Sequence, residues 1–188
     1  MAAKPRKYRL LMYARMLDHW RSRVIAIGLA VLLLAAIGVF VFPVEQSWRV
    51  ISLGGLGAFI FFFAFLLYVL RGAAYVQVNP KSLLIAAPFF RMRVGYSRIK
   101  RSMPTEMGAL YLERKISALQ EDLVMPVAGR TAILLELSAY PISKNLIRLF
   151  FSPLFAPLEM PHLVLLVDDW MKLSMELESA RSVRKGIR

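Results

Sequence analysis

The stretches VIAIGLAVLLLAAIGVFVF (Val24–Phe42) and VISLGGLGAFIFFFAFLLYVL (Val50–Leu70) hold 19 and 21 residues and no charged side chain. At 1.5 Å of rise per residue each spans roughly 28–32 Å as a helix, about the thickness of a bilayer's hydrocarbon core. The segment Pro43–Arg49 between them is short enough to require an antiparallel hairpin. The reading that follows is a two-span membrane anchor with both ends on one side.

Charge sets the expected orientation. Lys4, Arg6, Lys7, Arg9, Arg15, Arg21 and Arg23 precede the first run against one acid, Asp18, and Arg71 follows the second. The connection offers Glu45 and Arg49. Cations flanking spans are retained in the cytoplasm, which places both termini on the cytoplasmic face of the inner membrane. A basic n-region ahead of an apolar run also describes a signal peptide. Here the run is longer than an h-region and a second run follows at once, so an uncleaved anchor is expected.

The rest of the composition narrows the function classes. The net charge is +13 over 188 residues, and 58% of the residues are hydrophobic. Much of the charge lies in the juxtamembrane tail, where it suits anionic lipid, so no nucleic-acid partner is expected. There is no cysteine, which excludes thiolate metal sites, disulfides and a Cys nucleophile. No Asp, Glu, Lys, Arg or His lies within either run. Pumps and ion pathways place such groups at the midplane, so an anchor is expected rather than a transporter. His19 and His162 stand without the convergent ligands a metal site needs, and Asp168 and Asp169 suit a helix N-terminus. We expect no enzyme, no cofactor and no metal.

Four segments follow: 1–23 basic and juxtamembrane, 24–70 the hairpin, 71–180 a folded domain, 181–188 a basic tail. Lys7–Arg23 reads as a basic amphipathic helix, with Leu10, Tyr13, Ala14, Leu17 and Trp20 on one side. It either rests among lipid head groups or extends the first span. Ala26 and Ala30, and Gly54 and Ala58, are pairs of small residues four apart, the spacing that lets helix backbones pack closely.

After Arg71 the period shortens. Ala74–Val78 and Ser82–Ala87 read as strands around an Asn79-Pro80-Lys81 turn. Phe90, Met92 and Val94 then alternate with Arg91, Arg93 and Gly95, the period-2 pattern of a half-buried strand. Further strands are expected at Ala109–Glu113, Ala132–Ser138 and Leu146–Phe151, with Glu136 on a wet face. Leu163, Leu166, Val167, Trp170, Leu173 and Leu177 follow helical spacing, so a helix is expected from Pro161 or Val167 to about Ala180. The Pro-rich insert Ser152–Pro161 either dips into lipid, contacts a partner or packs on the domain's rim.

The run YVQVNPKSLLI (Tyr75–Ile85), the strand Arg91–Val94 and the corner Tyr96-Ser97-Arg98-Ile99 resemble the PH-like domains of bacterial membrane proteins, in which two spans often precede the domain. The wording of the resemblance covers about 73–101. It implies a membrane α+β protein: a two-helix transmembrane hairpin, then a cytoplasmic PH-like antiparallel β-barrel or sandwich closed by a C-terminal α-helix. The chemical concentration is basic. Arg91, Arg93, Arg98, Lys100 and Arg101, with Arg71, form a candidate site for anionic lipid, since guanidinium groups fork onto phosphate through charge-assisted hydrogen bonds. The expected function is a membrane-anchored interaction or scaffold module, an accessory to a larger membrane complex. The alternative is a sensor of anionic lipid at the inner leaflet.

Overall fold

The computed structural model describes residues 6–41, 47–111, 116–151, 153–156 and 161–185. The chain divides into two units. One holds residues 17–71. The other joins residues 1–16 to 72–188.

The first unit consists of two long helices. The helix α1 (Leu11–Val41) enters it from its seventh residue on, and α2 (Ser47–Leu70) supplies the second. Both are long and apolar enough to cross a membrane, and only 17% and 11% of their most apolar windows are buried. The core helix of a soluble protein would be mostly covered. Here Phe40 is 90% and Phe59 65% exposed. Close approach occurs at Gly28 and Gly57. A Cβ on Gly57 would collide with the Leu32 side chain, and one on Gly28 would stand 3.1 Å from Ile60 and Phe61. Ala35 and Ala64 are buried, each seven residues beyond one of these glycines, a spacing that keeps both positions on one helix face. Ala26, Ala30 and Ala58, expected at the seam, are exposed, and nothing lies within 4 Å of a Cβ on Gly54. Beneath the hairpin, Arg71 Nε stands 3.0 Å from Asp18 Oδ2, and the Arg21 guanidinium lies 5.3 Å from the Tyr68 ring centre.

The second unit holds two antiparallel sheets. β1 (Lys7–Arg9), β2 (Tyr75–Val78), β3 (Ser82–Ala87) and β4 (Phe90–Gly95) form the first, in that order. β5 (Ile99–Glu106), β6 (Thr131–Leu137) and β7 (His162–Leu165) form the second. Residues 7–9 are thus a strand, not the start of an amphipathic helix. Tyr8 is the reason: its side chain is buried in one cross-strand row with Val76, Ile85 and Met92. Burial of that ring outweighs the helical spacing of the segment. The β1–β2 pairing brackets the hairpin, because one strand precedes α1 and the other follows α2.

The sheets meet along one side and stay apart on the other, so the expected barrel does not close. Leu10 bridges Val167, and Leu11 N–H donates to the Leu166 carbonyl at 2.9 Å. On the open side the chain passes from β4 to β5 through a turn at Tyr96–Arg98. There Arg181 donates to the Ile99 and Lys100 carbonyls, both at 3.1 Å.

Helices fill what the sheets leave. α3 (Met107–Tyr111) and α4 (Ala118–Val124) lie in the stretch between β5 and β6, and α4 starts with a Ser117/Gln120 capping box. They supply Met107, Tyr111, Leu123 and Val124 to a core that also holds Ala132 and Leu134 of β6 and Val164 of β7. Ile133, Leu135 and Leu137 on the alternate face of β6 are buried too. α5 (Lys144–Phe151) follows β6, and α6 (Trp170–Lys185) packs against β2 and β6 through the fully buried Leu173 and Leu177.

Several expectations are corrected here. Ala109–Tyr111 and Leu146–Phe151 are helical rather than extended, while 112–113 lies outside the described residues. Ile147 and Phe151 are buried four apart on α5, and Phe151 stacks on Phe155 at 5.0 Å, so a helix seats both rings. His162–Leu165 is a strand, because backbone pairing with Ile133–Glu136 claims it. The last helix runs on to Lys185, past the tail boundary at 181. In the Pro-rich insert the described Leu154, Phe155 and Ala156 are buried, so this part packs into the domain. Residues 152 and 157–160 lie outside the described set.

Candidate interaction surface

Register places a group of cations on the outer face of the first sheet. One cross-strand row runs Lys7–Gln77–Leu84–Arg93, and the next but one runs Arg9–Tyr75–Ala86–Arg91. The row between them, Tyr8–Val76–Ile85–Met92, points the other way and is buried throughout. Period-2 geometry then fixes all four cations on one face. Lys7, Arg9, Arg91 and Arg93 are exposed, and Tyr75, Gln77 and Leu84 are half-buried between them. Lys7 Nζ lies 4.5 Å from the Tyr75 ring centre, a cation–π contact.

The basic residues expected to act together are divided by the fold. Arg91 and Arg93 share the face just described. Lys100 and Arg101 are exposed on β5 of the other sheet, and Arg98 is exposed in the turn before it. Arg71 belongs to the helical unit, where Asp18 engages it. Of the juxtamembrane cations, Arg6 stands 5.7 Å from the Tyr8 ring centre, Arg15 lies half-buried on α1, and Arg23 lies 5.9 Å from the Trp20 ring. Lys4 lies outside the described residues. Lys7 and Arg9 join Arg91 and Arg93. Only strand pairing across the hairpin shows that, and no local signal in the sequence carries it.

Polar side chains elsewhere in this unit hold the fold together. The Tyr96 hydroxyl donates to the Asn79 carbonyl and ties the β4–β5 corner to the β2–β3 turn. Burial pushes its pKa up to about 12, and the bond to Asn79 opposes the shift. Tyr8 is likewise pushed up to about 12, first by burial and then by the Glu176 carboxylate beside it. The Tyr111 hydroxyl donates to the Leu154 carbonyl. Asp169 caps α6, accepting from Lys172 N–H at 3.3 Å, and the Lys172 ammonium holds its pKa below the usual carboxylate range.

His162, expected near a helix start, lies on β7 in register with Glu136, which pairs with Arg101 on its other side. The Tyr140 hydroxyl donates to the His162 carbonyl at 3.3 Å. Glu136 is half-buried rather than fully wet. Among the described residues no three His, Asp or Glu side chains gather as a metal site would require. No family model matches the sequence, and no curated protein or solved structure matches it either.

Proposed function

We propose that this chain is a membrane-anchored interaction module without catalytic activity, an accessory subunit of a larger membrane complex. The observation that carries the reading is the β1–β2 pairing around the helical hairpin. A strand before α1 and a strand after α2 belong to one sheet, so a hairpin that crosses the bilayer leaves the whole β unit on one face. The exposed apolar surface of both helices supports the crossing. The excess of Lys and Arg before Val24 supports a β unit on the cytoplasmic side of the inner membrane.

Four strands, then three, then a C-terminal helix is the element order of a PH-like domain, and it supports that assignment. The hairpin then occupies the β1–β2 connection instead of preceding the domain. An interaction role fits the use made of the polar side chains, since Tyr96, Tyr111, Asp169 and Arg181 all serve backbone groups. The end strands β4 and β5 are each paired on one side within their sheets. Peptide partners add to strand edges of this kind.

The test is purification of the tagged full chain in mild detergent, with photo-crosslinkers placed singly on β5 and on α2. A stoichiometric protein crosslinked from β5 supports the reading. A chain that purifies alone and crosslinks to nothing overturns it.

A further inference from the structure

We propose that the outer face of the first sheet docks flat on an anionic membrane surface, with Lys7, Arg9, Arg91 and Arg93 as its contacts. The inference rests on the membrane anchorage proposed above and adds the surface by which the β unit meets the bilayer.

Charge complementarity is the first argument. The two outward rows contain four cations and no acid. A Lys or Arg near an anionic leaflet gains about fivefold in partitioning, an effect screened by salt.

Spacing selects the kind of anion. Strands lie about 4.8 Å apart, so the backbones that carry the β1 cations and the β4 cations are separated by about 14 Å. Along each edge strand the two cations are about 7 Å apart. Charge-assisted contacts to one phosphate close at about 2.8 Å, so one phosphate joins the two edges only where side chains from both fold inward over the middle strands. An extended array of head groups meets all four cations at once.

The surroundings suit a lipid interface. Tyr75 sits between the cations under the Lys7 ammonium, and tyrosine is favoured at head-group level. The β3–β4 turn presents Phe89, 74% exposed and two residues from Arg91. In sequence only Leu10 separates Arg9 from the first residue of α1.

The chain has no cysteine, so Leu84→Cys places a single environment-sensitive dye in the middle of the face. The full-length protein is reconstituted into nanodiscs of neutral phosphatidylcholine, or of phosphatidylcholine mixed with phosphatidylglycerol. Quenchers are carried on the lipid head groups. We expect quenching several-fold stronger in the anionic discs and reversed by salt. Joint Lys7→Gln, Arg9→Gln, Arg91→Gln and Arg93→Gln substitution should abolish it, while Lys100→Gln with Arg101→Gln leaves it intact.

Equal quenching in both disc types overturns the proposal. So does retention of quenching in the four-Gln protein, or its loss to added inorganic phosphate at constant ionic strength, which marks a small-anion site. A dye shift produced only by an acidic protein partner overturns it as well. Integration is scored separately, by resistance to alkaline extraction. A chain that is extracted fails the anchorage reading. One that stays integrated with an unresponsive dye fails the docking alone.

Discussion

The two sheets of the β unit differ in what covers their second face. Each turns one face inward, the first through Tyr8, Val76, Ile85 and Met92, the second through Ile133, Leu135 and Leu163. The far face of the second sheet is buried again, under Met107, Tyr111, Leu123 and Leu154. The far face of the first carries Lys7, Arg9, Arg91 and Arg93. One sheet is covered on both faces, and the other keeps a charged face open.

Cavity formation breaks this comparison most directly. Leu134→Ala empties a site on the outer face of the second sheet and should cost about 2–5 kcal/mol. Leu84→Ala, at the matching outward position of the first sheet, should cost under about 1 kcal/mol, since its side chain is half-exposed. Denaturant unfolding of both variants in detergent, followed by near-UV circular dichroism, checks the pair. Equal losses would mean that the helical cover on the second sheet contributes no packing.

The same asymmetry explains what the sequence revealed. β4 was readable because one wet face forces period-2 alternation, as Arg91 and Arg93 show, and β3 was readable from its run of strand-forming residues beside the Asn79-Pro80-Lys81 turn. β7 was hidden because Leu163, Leu166 and Val167 join Trp170 at helical intervals, while the pairing that makes His162–Leu165 a strand comes from β6. The short apolar run of α5 resembles a strand by composition, and in the fold Phe90 stacks on Phe150 at 4.9 Å and meets Phe151 edge-on at 6.0 Å. In β5, Pro104 and a scatter of polar residues erase the alternation, which an edge strand tolerates. Half of the cationic face was legible in Arg91 and Arg93. The other half, Lys7 and Arg9, lies beyond the hairpin and needs tertiary register to be seen.

Alkaline pH sharpens the contrast, because Tyr8 and Tyr96 both serve the first sheet and its corner. Each is held at about 12 in the folded chain against about 10 when unfolded. Between these values the unfolded chain has lost protons that the folded chain retains, so stability falls as pH rises. The contribution is fully present below pH 10 and is lost by about pH 12. Denaturant midpoints across this window should decline, and Tyr96→Phe should make the decline shallower. Ultraviolet titration of the folded protein should show a late-ionising class of tyrosines that Tyr96→Phe diminishes.

The smallest expected difference compares two hydroxyls doing the same work in different places. Tyr96 anchors the β2–β3 turn through the Asn79 carbonyl, and Tyr111 anchors the segment after α5 through the Leu154 carbonyl. Replacement by Phe removes one donor and keeps the ring, so each should cost about 1 kcal/mol. The carbonyl left behind decides the order. Leu154 is 2% exposed, and the bond it accepts is buried, whereas the Asn79 bond is only partly so. Water can replace the lost donor more easily at Asn79, so Tyr111→Phe should be the costlier change by a few tenths of a kcal/mol. Unfolding of the two variants side by side measures it. The reverse order would place the drier environment at the first sheet's corner, contrary to the division between a covered sheet and a wet one.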